Sequence, residues 1–391
     1  MGSDRIVKLD TAVPFGRPWI SEEDRQGVLD VLHGNILTHG PQGKAFEAAF
    51  TEFMGPGAHA VSVSSCMAAL HLSYLQFGIG AGDDVIVPAM THTATAHAVE
   101  LVGARPVFVD PDPETGNLTA DGITEALTPN TKAISVVHFL GIPCDMVSIK
   151  EVAQSRGLRI VEDCALAVGA RFRGTHVGLF GDTGCFSFYP VKHLTTGEGG
   201  MLVTGSAQVA EDVSRLRGFG VDRSHGERTL PGMYDVPVLG LNYRMSELQA
   251  SLGRTQMLRM HDNLQKRASN FRSLKAGIAG LPNVRVLDAS SAEHSSSHYC
   301  LTFVLEGSLG AHRNELITVL KEAGIGTSVY YPHPVPRLRY YAEKYGYDDA
   351  RYPTASEISD CSIALPVGPH VEAGDIDAIA QVVTASIRKL I

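Results

Sequence analysis

From about Ala60 to Thr204, short β-rich apolar runs alternate with helical segments, and this order constrains the fold more than any other feature. "AVSVSS" precedes helical "CMAALHLSYLQFG", "DVIVP" precedes "HTATAHAVELVG", and "RPVFVD" precedes "ADGITEAL". "KAISVVHF" then precedes "DMVSIKEVAQSRG", and "RIVEDC", "CFSFY" and "GGMLVTG" follow. Strands alternating with helices of this length predict βαβ units and a largely parallel α/β sheet covered on both faces. The glycines of "GIGAGDD" follow a helix and precede a strand. That is the reverse of a dinucleotide phosphate loop, so they read as a turn.

A second region begins after the long amphipathic stretch "GLNYRMSELQASLGRTQMLRMHDNLQKRASNFRSLKAGIAGL". It continues through "HYCLTFVL", "HRNELITVLKEAG", "GTSVYYPHP" and "AGDIDAIAQVVTASIRKL", the pattern of a smaller α/β unit with a small antiparallel sheet. The expected division is residues 1–257, an N-terminal segment plus a large domain, and residues 258–391, a small C-terminal domain. The segment up to about Gly55 is predicted to be mainly helical and to pack across both.

Composition narrows the function classes. The 391 residues are 44% hydrophobic and 19% charged, as in ordinary globular proteins. A net charge of −9 provides no general basic field for nucleic acid. No apolar run approaches the roughly 18 residues of a membrane-spanning helix, and the N-terminal stretch has neither an apolar signal core nor a good myristoylation pattern. Six cysteines without a C-x-x-C pair read as free buried thiols of a reducing, cytoplasmic compartment. "HSSSHYC" groups His294, His298 and Cys300, but no further ligand stands at metal spacing, so no metal site is expected. Common hydrolase motifs such as G-x-S-x-G and H-E-x-x-H are absent.

Four features can carry chemistry. Asp163 ends the strand "RIVED", at the strand edge where open α/β sheets bind ligands; it could hold a protonated ring nitrogen or simply cap a helix. Lys192 lies between an aromatic run and "GEGG"; it is either a solvated lysine or a desolvated amine able to attack an aldehyde. Ser65, Cys66 and Met67 open a strand-to-helix turn, and Ser187 precedes Lys192 by five positions. Such helix starts hold phosphate, although Ser65 could equally be an N-cap. His92 in "THTAT" could stack on a flat ring or be structural. Taken in order, these features match what a pyridoxal phosphate (PLP) site requires: a phosphate cradle, a ring stack, a pyridinium partner and a Schiff-base lysine.

The chain closely resembles the DegT/StrS-like sugar aminotransferases, which are fold-type-I PLP enzymes, over nearly its whole length. The resemblance rests on "GPQGKAFEAAF", "SSCMAALHL", "VIVPAMTHTATAHAVELVGARPVFVD", "TKAISVVHFLGIPCDM", "VEDCALAVGA", "FSFYPVKHLTTGEGGM" and "GLNYRMSELQASLG". It implies a homodimer with a mostly parallel seven-stranded large domain. Lys192 is then similar to the Schiff-base lysine and Asp163 to the pyridinium partner, with Ala165 and His92 on the two ring faces. Ser187 and the backbone at Ser65, Cys66 and Met67 would hold phosphate, and Asn242 resembles the residue that reaches the partner subunit's site. Two positions depart from the pattern. Met67 stands where relatives usually have Thr, and Leu166 where many have Gln or His beside the cofactor's phenolic oxygen.

The resemblance implies transfer of an amino group from L-glutamate to the keto group of a sugar, most often nucleotide-linked. Lys192 would anchor the cofactor and shuttle the proton. The rival expectations are dehydration or cyclisation on the same fold, or a non-catalytic PLP-binding regulatory protein. Substrate choice is expected to lie in "FGVDRSHGERTLPGMYD" and "YYPHPVPRLRYY".

Overall fold

The computed structural model describes residues 9, 11–222, 233–289 and 291–391, so much of "FGVDRSHGERTLPGMYD" lies outside the described residues. Five strands come first: β1 (His59–Val63), β2 (Asp84–Pro88), β3 (Arg105–Val109), β4 (Thr131–Val137) and β5 (Arg159–Asp163). A short hairpin, β6 (Arg171–Phe172) and β7 (Thr175–His176), leads to β8 (Thr183–Ser187) and β9 (Gly200–Thr204). Seven of these strands form one sheet in the order β1-β9-β8-β5-β4-β2-β3. Only β9 runs antiparallel to its neighbours. The largely parallel sheet expected from the alternation is therefore present, and β2, β8 and β9 are buried along their whole length.

Two helices precede the sheet, α1 (Glu22–His33) and α2 (Pro41–Met54). Four more join the parallel strands: α3 (Cys66–Gln76), α4 (Thr93–Leu101), α5 (Ala120–Ala126) and α6 (Met146–Arg156). Helix α3 buries Cys66 and the seven consecutive residues from Ala68 to Tyr74, with Met67 between them partly open. A helix apolar on nearly every side belongs inside the molecule, and α3 packs against β8, β9 and α4.

Beyond α7 (Ala207–Leu216), the long amphipathic stretch folds as two helices, α8 (Glu247–Met257) and α9 (Met260–Gly277). Three further strands, β10 (Val284–Val286), β12 (Leu301–Leu305) and β13 (Ser362–Leu365), make a small antiparallel sheet in the order β10-β12-β13. The two-residue β11 (His294–Ser295) pairs instead with β6. Residues of the small sheet, α9 and the C-terminal helix share a second apolar core.

The N-terminal helices join the two regions through buried polar contacts. Asp24 is fully buried and accepts from Arg259 Nη1 at 3.0 Å and Thr255 Oγ1 at 2.6 Å. Glu247 accepts from the Gln42 and Gly43 N–H groups at 2.7 and 3.1 Å, and Val13 bridges to Ile325. The N-terminal segment thus contacts α8, Arg259 and Ile325.

Candidate active site

The sheet register assembles a row of candidate residues. Val137 pairs with Asp163 and Asp163 with Cys185; Gly200 pairs with both Ser187 and Val63. The C-terminal ends of β1, β4, β5 and β8 therefore share one edge, the edge at which parallel sheets bind ligands. Residues 188–199, which contain Lys192, connect β8 to β9 along that edge.

Asp163 is 5% exposed, and its carboxylate is held from two directions. Thr95 Oγ1 donates to Oδ2 at 2.8 Å, and the Ala165 N–H donates to Oδ1 at 3.0 Å. The Cys66 thiol lies 3.8 Å from Oδ1 but only 3.3 Å from the Cys185 carbonyl, the nearer acceptor for its single proton. Burial pushes that thiol well above its ordinary value, so sulfur stays neutral beside the carboxylate.

Lys192 keeps partial exposure, yet burial is the largest influence on its amine and lowers it from the ordinary lysine value. Nearby Cys66, Asp163 and Cys300 oppose the shift without reversing it. Lys192 Nζ stands 5.3 Å from the centroid of the Tyr299 ring, whose hydroxyl bonds to that of Tyr330 at 2.8 Å. A lowered amine is what nucleophilic attack on an aldehyde needs.

The lysine loop is pinned from behind. Gln256 accepts from the Thr195 N–H at 3.0 Å and donates to the Thr195 carbonyl at 2.6 Å. Asn263 donates to the His193 carbonyl at 2.6 Å, and His193 Nε2 donates to the Ser297 carbonyl at 3.1 Å. Sequence reasoning missed Gln256, Asn263 and Thr95. Only Thr95 carried a signal: it lies four residues from Thr91, on one helical face of "THTAT".

Ser65 is the N-cap of α3, its Oγ accepting from the Ala68 N–H at 3.0 Å. The structural reading of that serine is met, and the first N–H groups of α3 remain available to an anion. A Cβ on Gly200 would come within 2.5–2.7 Å of the Ser65–Cys66 peptide, so only glycine lets β9 pass so close to this cradle. Ser187 ends β8 on the same row. Met67 is half-buried and brings no hydroxyl.

His92 caps α4, with Nδ1 accepting from the Ala94 N–H at 3.1 Å. Its exposed ring meets Tyr331 edge-on at 5.6 Å. Ala165 is half-buried beside Asp163. Leu166 is 3% exposed, belongs to the main core, and has its carbonyl bonded by Ser297 Oγ at 2.8 Å. It is a packing residue. Asn242 is exposed, paired with Gly218, and adjoins Tyr243, whose carbonyl accepts from the Ser64 N–H.

Among the described residues, His138, Glu162 and Cys164 form one compact buried group of metal-ligand type. Its atoms are otherwise committed. His138 Nδ1 accepts from the Cys144 N–H, and its Nε2 donates to Glu162 at 2.9 Å. Glu162 also accepts from the N–H groups of Gly178, Phe180 and Gly181 at 2.6–2.9 Å, while burial raises the Cys164 thiol. This is a hydrogen-bond hub. The ring of His298 in "HSSSHYC" lies tilted against Phe271 at 4.6 Å between centroids, and Cys300 is buried.

The donor set suits pyridoxal phosphate: a deprotonation-prone lysine, a fixed carboxylate, and a helix start approached through a glycine. The sequence matches the DegT/DnrJ/EryC1/StrS aminotransferase family over residues 18–384. It is 37% identical over 386 residues to the spore coat polysaccharide biosynthesis protein SpsC of Bacillus subtilis, covering 97% of this chain and 98% of that protein. Among solved structures, DesV of S. venezuelae in complex with a ketimine intermediate matches with a TM-score of 0.87 at 32% identity, covering 96% and 99% of the two chains. Spr1654 from Streptococcus pneumoniae, solved in PMP and PLP forms, matches at 30% identity over 97% of this chain and 100% of that one, with TM-scores of 0.91 and 0.89. The chain belongs to the DegT/DnrJ/EryC1/StrS aminotransferase family and is a PLP-dependent aminotransferase.

Proposed function

We propose that this enzyme moves the amino group of L-glutamate onto the keto group of a nucleotide-linked sugar. The observation that carries the reading is the meeting of a lowered lysine amine, Lys192, and a buried, oriented carboxylate, Asp163, on one strand edge. Pyridoxal phosphate, when bound, supplies an electron sink for charge developed at an amino-acid α-carbon. Lys192 Nζ would provide the covalent anchor and, once released, carry the α-proton as general base and acid. Asp163 would receive the ring N–H and keep that nitrogen protonated. The start of α3 and Ser187 would hold the phosphate, with His92 and Ala165 the candidates to flank the ring.

The nucleotide assignment is supported by the surface next to Asn242, where the Arg244 guanidinium lies 4.7 Å from the exposed Phe219 ring. Cation and aromatic face together suit a pyrophosphate and a base. Arg337 of "YYPHPVPRLRYY" is instead committed to Asp360 and Asp349, and Arg339 to Glu343. Incubation with ¹⁵N-labelled L-glutamate and a panel of keto sugars, free and nucleotide-linked, tests the reading. Label should enter a nucleotide-linked product; label only in free sugars or cyclitols refutes the nucleotide assignment.

The same surface supports a homodimer. Beside the Phe219 ring, Val236, Val238 and Leu239 are all exposed near Asn242, with Leu239 at 92%. A second copy would cover them and receive Asn242 in its own site. Lys192→Ala and Asn242→Ala proteins should each be impaired alone but regain activity when mixed under subunit exchange. Only the mixed dimer has one site with both residues intact. No recovery in verified mixed dimers would place Asn242 in its own subunit's site. All six cysteines are free, in keeping with a cytoplasmic location.

A further inference from the structure

The Asp163 carboxylate is not oriented by backbone alone. Thr95 is fully buried in the first turn of α4 and gives its hydroxyl proton to Oδ2 at 2.8 Å. An ionised carboxylate only accepts, so the direction of that bond is fixed. Thr91, 2% exposed, lies 2.8 Å from the Thr95 oxygen; because Thr95 has spent its one proton, Thr91 must be the donor there. The result is a one-way chain, Thr91 to Thr95 to Asp163, in a dry part of the protein where successive hydrogen bonds reinforce one another.

The remaining neighbours leave this chain in control. The Ala165 N–H holds only Oδ1, from two residues along the chain, so it makes no contact with Oδ2. The Cys66 thiol serves the Cys185 carbonyl first. Thr95 is the only side chain of a different element that donates an O–H to Asp163 among the described residues.

We propose that Thr95, backed by Thr91, is a positioning residue that fixes the plane of the Asp163 carboxylate toward the cofactor's ring nitrogen. The proposal rests on Asp163 being the partner of that nitrogen, and the experiment separates the two claims.

Holoenzymes carrying Thr95→Val, Thr95→Ser, Thr91→Val and Asp163→Asn are compared by the pH profile of the bound cofactor's visible band, by cofactor affinity, and by kcat and KM for L-glutamate. Thr95→Val should lower kcat roughly tenfold to a hundredfold, the range for losing a hydrogen bond to a charged group. KM should change by less than about threefold, and the band's pH profile should move toward that of Asp163→Asn. Thr95→Ser should restore all three, and Thr91→Val should fall between. A Thr95→Val enzyme with an unmodified profile and kcat, beside an altered Asp163→Asn enzyme, overturns the Thr95 role and leaves Asp163 standing. Equal damage from Thr95→Ser also overturns it, since the methyl group would then matter and not the hydroxyl. An Asp163→Asn enzyme with an unchanged band overturns the underlying assignment. Should Thr95→Val fail to fold, Thr91→Val decides: a shifted profile supports the chain, an unmoved one refutes it.

Discussion

Lys192→Ala is expected to abolish covalent capture of pyridoxal phosphate and to slow transamination by at least about 10⁴-fold, the upper range for losing a positioned acid–base group. Two tasks fall to one nitrogen, so a single truncation removes both the anchor and the proton carrier. Among the described residues the Lys192 amine donates no hydrogen bond that the fold needs, and its loop is held by Gln256 and Asn263 through backbone atoms at Thr195 and His193. The variant should therefore fold normally, as circular dichroism would show. The pH dependence has a definite sign. Burial lowers the amine, so in the cofactor-free enzyme the neutral, reactive form grows as pH rises and dominates before an ordinary lysine would be half neutral. Stopped-flow capture of the cofactor should accelerate with pH and level off below the ordinary lysine value of about 10.4. A plateau at or above that value contradicts the desolvated amine.

Asp163→Asn should cost roughly 10²–10³-fold in kcat, comparable to removing one preorganised electrostatic contact. The amide keeps the shape, but its one carbonyl oxygen can accept from only one of Thr95 and Ala165, and it cannot hold a proton on a ring nitrogen by opposite charge. Because the loss falls on charge developed during reaction, kcat should fall far more than the KM for glutamate rises. Steady-state kinetics of the variant measures this directly. An equal loss spread into KM with kcat intact would show that Asp163 only helps binding.

The sheet was legible in the sequence because its evidence is periodic. β2 and β8 are short strand segments buried along their length, and α3 is buried nearly all round. Asp163 and Lys192 could be singled out because each ends or follows such a run, beside glycines that the close approach of Gly200 to Ser65 explains. The break of the long helical stretch at Leu258–Arg259 was not legible, since both halves are good helix sequence and the turn is set by tertiary contacts such as Arg259 to Asp24. The partners of Thr95, Gln256 and Asn263 were hidden for a related reason, the Thr91–Thr95 spacing being the one local hint. These partners lie 61–70 positions away in the chain, and a polar pair at that distance leaves no pattern in either segment. Leu166 looked like a missing polar contact from the sequence, while in the fold it fills the core and lends only its carbonyl, to Ser297.

The most direct measurement mixes purified, cofactor-loaded enzyme with L-glutamate alone and follows the visible band together with released 2-oxoglutarate. The expected result is loss of the band with about one 2-oxoglutarate formed per bound cofactor, and no such change in Lys192→Ala. An unchanged spectrum with no 2-oxoglutarate, or an equal yield from Lys192→Ala, would contradict a glutamate-driven transamination centred on Lys192.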